Sequence, residues 1–277
     1  MHFPRFRTPR AWRRARRALA ALATVGLVLM LLHNERTGTM LVASSLVCLV
    51  LLEGAQLRRT VLEGQRQQYA LTQIRPLLGE VPLDLSGWAA DPITVHSAVR
   101  LIVTARPRLV VECGSGASTV VIARCLRALG GGRVISLDHD PAYARRTQEM
   151  LRLYGVEELV TVVTAPLVPR ETNGRVAPWY GPEYEAFLTE PIDVLVVDGP
   201  PGASGPRARA PAIPILKPRL AAECWVLMDD GDRPDERAIA HDWSGELGAK
   251  LTYLEGGRGG WLLHREASVT RARPEGA

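Results

Sequence analysis

Residues 109–119 read LVVECGSGAST, from Leu109 to Thr119. An apolar run ending at Cys113 passes at once into Gly114-Ser115-Gly116 and then into residues that open a helix. Glycines let a backbone turn sharply and approach a ligand, and the N-terminus of the helix that follows offers unpaired N–H groups. Dinucleotide folds use such a loop too, but their GxGxxG/A pattern needs Gly or Ala where Thr119 stands. Glu112, two residues before Gly114, is a poor neighbour for a pyrophosphate and suits a ligand bearing an ammonium group.

Outward from this strand, β-branched runs alternate with helix-like stretches. Strands are expected at Arg108–Cys113, Arg133–Asp138, Leu159–Thr164, Ile192–Asp198, Glu223–Asp229, Lys250–Glu255 and Trp261–His264. Helices are expected at Ser118–Leu129, Ala142–Tyr154, Glu183–Leu188, Arg209–Leu216 and Glu236–Leu247. Near-continuous apolar strands separated by helices indicate a mostly parallel α/β sheet covered on both faces. Asp140-Pro141 reads as an N-cap and first helical residue, and Gly155 closes that helix. The link Gly256-Gly257-Arg258-Gly259-Gly260 suits an antiparallel pair of final strands.

Four motifs fall at strand ends in order: ECGSGAST from Glu112, LDHDP from Leu137, DGPPG from Asp198 and DDGDR from Asp229. Together they resemble the class I S-adenosylmethionine-dependent methyltransferases, in particular the small Rossmann-like O-methyltransferases. The resemblance covers roughly residues 87–266 and implies a Rossmann-like sheet of seven strands. It implies that Glu112, Gly114, Ser115 and Gly116 surround the methionine end of the cofactor. Asp138 would accept hydrogen bonds from the ribose hydroxyls. His139 beside it joins the cofactor-binding set, although His139 and Asp140 also suit a turn and a cap. Thr164-Ala165-Pro166-Leu167 would wall the adenine.

Asp198, Asp229 and Asp230 end neighbouring strands and so converge on one crevice. Three carboxylates there either bind a divalent cation or raise one another's pKa values. The metal-dependent relatives carry such a set, which makes Asp198, Asp229 and Asp230 candidate ligands for Mg2+ and Asp198 the first candidate for catalytic base. A metal-free base and plain structural capping stay open beside that reading. His241 and His264 are alternative bases, Trp179 and Tyr180 lie in a loop suited to an acceptor lid, and Arg207, Arg209 and Arg233 suit an anionic acceptor. Arg233 also has Glu236 in reach on its own helix.

The net charge of +5 resides at the N-terminus. Residues 1–17 carry seven arginines and no acid, while Glu35 and Arg36 cancel, so residues 53–277 stand at −2. That excludes a basic nucleic-acid-binding body. The arginines precede apolar runs at 18–32 and 39–52, joined by His33-Asn34-Glu35-Arg36-Thr37-Gly38. Fifteen helical residues rise about 22 Å, short of the roughly 30 Å hydrocarbon core, yet snorkelling arginines make short spans feasible. Arginines on both outer flanks place both ends of such a hairpin in the cytoplasm, with a single span or re-entrant segment and a cleaved signal peptide as the alternatives. The expected order is a basic tail (1–17), a transmembrane helical hairpin (18–52), a helical linker (53–80) ended by Pro76, the methyltransferase domain (81–266) and a disordered tail (267–277). Cys48, Cys113, Cys125 and Cys224 lack zinc or disulfide spacing and read as reduced thiols.

These readings converge on a membrane-anchored methyltransferase facing the cytoplasm, with S-adenosyl-L-methionine as cofactor. It would O-methylate a small molecule, a glycan or a lipid-linked acceptor. The alternative is a non-catalytic membrane-bound scaffold or sensor that binds the cofactor. A nicotinamide-dependent oxidoreductase is disfavoured by Thr119.

Overall fold

Asp-Pro dipeptides start two of the helices. A computed structural model describes residues 9–32, 35–80, 82–83 and 91–267. Asp140 accepts from the backbone N–H of Ala142 at 2.7 Å, and Pro141 opens α5 (Pro141–Leu153). Asp91 accepts from Ile93 N at 2.9 Å, and Pro92 opens α3 (Pro92–Ala105). In each case the acid satisfies a donor that the helix leaves free, and proline gives up an N–H that had no partner. Helix α3 was not among the sequence expectations. Its signal was the Asp91 cap followed by buried Thr94, Val95, Ala98, Leu101 and Ile102 at helical spacing.

The chain divides into two compact units, Met1–Gln65 and Arg66–Ala277. In the second, seven strands form one sheet. They are β1 (Leu109–Cys113), β2 (Arg133–Asp138), β3 (Val160–Thr164), β6 (Ile192–Val197), β7 (Leu220–Met228), β8 (Lys250–Leu254) and β9 (Gly260–Arg265), in the spatial order β3-β2-β1-β6-β7-β9-β8. The pairs from β3 to β7 are parallel, and β9 runs antiparallel to both β7 and β8. This is the expected Rossmann-like, mostly parallel sheet. Each expected strand is present, starting no more than three residues from the expected position.

Alternation along β1 serves two cores. Leu109, Val111 and Cys113 pack with Trp179, Tyr184 and the helices α6 (Ala212–Leu216) and α7 (Pro234–Leu247). Val110 packs on the opposite face with α3 and α4 (Ala117–Leu129). A parallel strand covered on both faces has no solvated side, which is why its sequence is apolar throughout except for Glu112.

Two sequence expectations need correcting. The loop expected to hold Trp179 and Tyr180 is a hairpin of β4 (Leu167–Thr172) and β5 (Arg175–Tyr180). Asn173 and Gly174 turn it with φ of +52° and +71°, the left-handed pair that a two-residue hairpin turn needs. The helical linker is part of α2 (Glu35–Leu78), which continues from the second apolar run through Pro76 and ends two residues later. Ala70 and Ile74 are buried in the second unit, Ile74 against Val95 and Val121, so the end of α2 belongs to the domain core.

In the first unit, α1 (Pro9–Leu31) and the start of α2 approach closely. A Cβ on Gly26 would lie 2.9 Å from the Gly38 carbonyl oxygen, and Arg16 pairs with Glu53 at 3.3 Å. Among the described residues, α2 is the helix long and apolar enough to cross a membrane, with a mean hydropathy of 1.9 over its best stretch. Helix α1 fails that test with Arg13, Arg14, Arg16 and Arg17 in its first half, so one helix rather than two meets it. The first eight residues of the basic tail, His33-Asn34 of the joint and the tail from 268 lie outside the described residues.

Candidate active site

A cavity of about 570 Å³ opens beyond the carboxyl ends of β1, β2, β6 and β7. Strand order reverses between β2 and β6 on either side of β1, the position at which open α/β sheets bind ligands.

The glycine loop forms one wall. Gly114 donates to Leu137 O at 2.8 Å and holds φ at +97°. A Cβ there would lie 3.2 Å from Gly199 N and 3.3 Å from the Asp198 carbonyl carbon, so the loops after β1 and β6 touch through backbone alone. Thr119, the residue that breaks the dinucleotide pattern, has a structural task. Its hydroxyl accepts from Gly116 N at 2.9 Å and donates to Glu112 Oε2, fixing the loop onto the strand beneath it.

Glu112 does not line the cavity. It is fully buried below the loop, where Oε2 also accepts from Ser136 at 2.9 Å and Oε1 has no partner among the described residues. Burial pushes its carboxyl up to about 7, against the hydrogen bonds of Ser118, Thr119 and Ser136. Gly114, Ser115, Gly116, Asp138 and His139 do line the cavity. Asp138 is committed locally as well: Oδ2 accepts from Ser115 N at 3.2 Å and Ser115 Oγ at 2.5 Å, and Oδ1 accepts from Asp140 N at 3.0 Å. His139 places Nδ1 3.6 Å from Asp138 Oδ1. None of residues 164–167 lines the cavity; that side is formed by α5 instead, through Tyr143, Thr147 and Met150.

The opposite wall is charged. One oxygen from each of Asp198, Asp229 and Asp230 lies within 4.8 Å of the others, so the three expected carboxylates do come together. Asp198 and Asp230 reach the cavity, whereas Asp229 sits behind them and accepts from Thr94 Oγ1 at 2.6 Å. Arginines face all three. Arg209, 3% exposed, donates from Nη2 to Asp198 Oδ1 at 3.1 Å and Asp230 Oδ2 at 2.7 Å. Arg258 pairs with Asp229 at 3.0 Å and Asp230 at 3.4 Å, and Arg233 with Asp230 at 2.9 Å. Burial and the neighbouring Asp229 hold the Asp198 carboxyl well above the usual carboxylate range, with Arg209 opposing.

Other candidates separate cleanly. Arg233 also reaches Glu236 at 3.6 Å, the pairing expected on its own helix. Arg207 is turned to Asp235 and Asp242 on the α7 side. His264 stacks on Trp225 at 3.6 Å and His241 lies against Trp261; neither lines the cavity. Trp179 packs into the core, while Tyr180 borders the cavity with a buried hydroxyl that has no partner among the described residues. A ligand with a polar group near Gly199 would supply one. Arg258 and Thr94 were missed by sequence reasoning. Arg258 sits in a glycine-rich link that reads only as a turn, and Thr94 in the helix that was overlooked.

Residues 111–231 match the family model described as a methyltransferase domain, Methyltransf_24. Among solved structures, a caffeoyl-CoA O-methyltransferase candidate from Staphylococcus aureus aligns with a TM-score of 0.52 at 14% identity, over 76% of this chain and 100% of the other. The SAH-bound methyltransferase PaMTH1 from Podospora anserina aligns with a TM-score of 0.50 at 14% identity, over 77% and 96%. At such identities the likeness concerns the fold. The family match over residues 111–231, carried on this Rossmann-like sheet, supports an S-adenosylmethionine-dependent methyltransferase.

Proposed function

We propose that the chain is a membrane-associated O-methyltransferase acting on a small-molecule, glycan or lipid-linked hydroxyl. The observation that carries the reading is the cavity itself, with a backbone-only approach at Gly114 on one side and a half-buried carboxylate, Asp198, on the other. The cofactor supplies an electrophilic methyl group when bound. Gly114, Ser115 and Gly116 cradle its amino-acid end, with the unpartnered Tyr180 hydroxyl as a further donor. Asp138 and His139 take the ribose side. Glu112 acts from beneath, holding the loop through Thr119. Asp198 accepts the proton of the acceptor hydroxyl as the methyl is transferred, and the rest of the rate comes from holding two reactants in line.

The first unit supports the membrane reading. The close approach at Gly26 and Gly38 and the exposed Leu22, Val25, Leu46 and Val50 suit two apolar helices packed side by side in lipid. The arginine flanks support a reading with the domain in the cytoplasm as part of a two-span cell-membrane protein. A maleimide that cannot cross the membrane should label Thr37→Cys from outside intact cells; labelling only after lysis refutes the hairpin.

Calorimetry of the full chain in detergent micelles tests the cofactor. Micromolar binding of S-adenosylmethionine, followed by transfer of its labelled methyl to a lipid or glycan extract, supports the proposal. Binding without transfer to any acceptor would favour a cofactor-binding scaffold, and absence of binding by the folded chain refutes both.

A further inference from the structure

The cluster of Asp198, Asp229 and Asp230 has the spacing of a divalent-cation site but not its vacancy of charge. A magnesium ion needs carboxylate oxygens at about 2.0–2.1 Å and keeps several waters around it. Here each of the three carboxylates already turns at least one oxygen to a guanidinium nitrogen. Asp230 is held by Arg209 at 2.7 Å, Arg233 at 2.9 Å and Arg258 at 3.4 Å, Asp198 by Arg209 at 3.1 Å, and Asp229 by Arg258 at 3.0 Å. Three guanidiniums, those of Arg209, Arg233 and Arg258, face the three aspartates, Arg233 being shared with Glu236, and a guanidinium is not discharged at any working pH. An added double positive charge would have to enter among three fixed cations.

Arg209 occupies the centre of this arrangement. It is nearly sealed from solvent, and its Nη1 and Nη2 also donate to the carbonyl oxygens of Asp229 and Asp198, each at 2.8 Å. Those carbonyls belong to the ends of β7 and β6, so one planar group ties together two strand ends and two carboxylates. Removing a buried cation from such a set leaves its acids uncompensated.

We propose that Arg209 is a built-in cation that takes the place of a divalent metal in this site, and that the chain holds its acceptor-side carboxylates without metal. Arg209 therefore positions Asp198, and Mg2+, one of the readings left open by the sequence, has no place there. The inference deepens the methyltransferase reading and rests on it for its consequence, not for its test.

The probe is Mn2+, titrated into the full chain in detergent and followed by the electron paramagnetic resonance signal of the free ion. The wild-type chain should leave that signal undiminished at millimolar ion. Arg209→Ala, which opens the carboxylates, should remove one equivalent of signal, and Arg209→Ala combined with Asp198→Asn should restore it. A wild-type chain that binds one equivalent, lost in Asp198→Asn, overturns the proposal, as does a folded Arg209→Ala chain that binds none. Should Arg209→Ala fail to fold, refolding with millimolar Mn2+ decides. Rescue by Mn2+ but not by sodium at equal ionic strength supports the proposal, and no rescue overturns it. Binding of S-adenosylmethionine to the same preparation reports separately on the methyltransferase reading.

Discussion

Replacing Glu112 by Gln removes a titration buried beneath the glycine loop. The wild-type carboxyl is raised from its ordinary 4.5 to about 7, chiefly by burial. The folded state therefore holds this proton more tightly than the unfolded chain does. Below about pH 4.5 both states are protonated and the stabilisation is complete; between about 4.5 and 7 only the folded state keeps the proton, so stability falls as pH rises, levelling off above the folded value. At 1.36 kcal/mol per unit, the total is about 3 kcal/mol. For a unit of this size that corresponds to roughly 6–12 °C in melting temperature. Gln keeps an acceptor for the Thr119 and Ser136 hydroxyls, and its NH2 takes the place of the unpartnered Oε1 at a pH-independent cost of about 1–3 kcal/mol. Melting of both chains in detergent, followed by circular dichroism between about pH 5 and 8, should show the wild type losing that stability relative to the variant. Parallel curves would refute the argument, because they would mean that Glu112 is ionised in the fold and that burial does not govern it.

The remaining predictions concern the cavity. Gly114→Val places a branched side chain against the Asp198-Gly199 backbone at a φ of +97°, and should abolish S-adenosylmethionine binding in calorimetry. Retained wild-type affinity would show that the backbone approach is not used. Asp138→Ala removes the acceptor for both Ser115 donors and for Asp140 N, and should weaken cofactor binding by about tenfold to a hundredfold; unchanged affinity removes Asp138 from the site. Asp198→Asn should lower turnover by roughly 10²–10⁴ with cofactor affinity nearly unchanged. Equal losses in both would assign Asp198 to binding instead.

Sequence reading and structure part company for physical reasons. The strands were legible because a parallel sheet buried on both faces demands near-continuous apolar runs, and β1 and β2 show them, interrupted only by Glu112 and Ser136. The hairpin of β4 and β5 was legible in principle from Asn173-Gly174, but its alternating residues are mixed with prolines and arginines, and no apolar stripe announces it. Helix α3 was marked by Asp91-Pro92, the same device that was recognised at Asp140-Pro141. Local chemistry of this kind is readable because cap and turn act over three or four residues.

Sequence alone determined the sheet, the glycine loop, Asp138 at the end of β2 and the convergence of Asp198 with Asp229 and Asp230. Each follows from where a strand ends. Tertiary structure decided what those groups do there. Glu112 faces Thr119 and Ser136 because alternation along β1 turns it to the α4 side, away from the cavity. The three carboxylates meet arginines, not an open coordination sphere, because Arg209 approaches from the segment before α6 and Arg258 from the turn between β8 and β9. Charge balance in a buried cluster depends on residues far apart in the chain, and their meeting is set by the packing of whole elements.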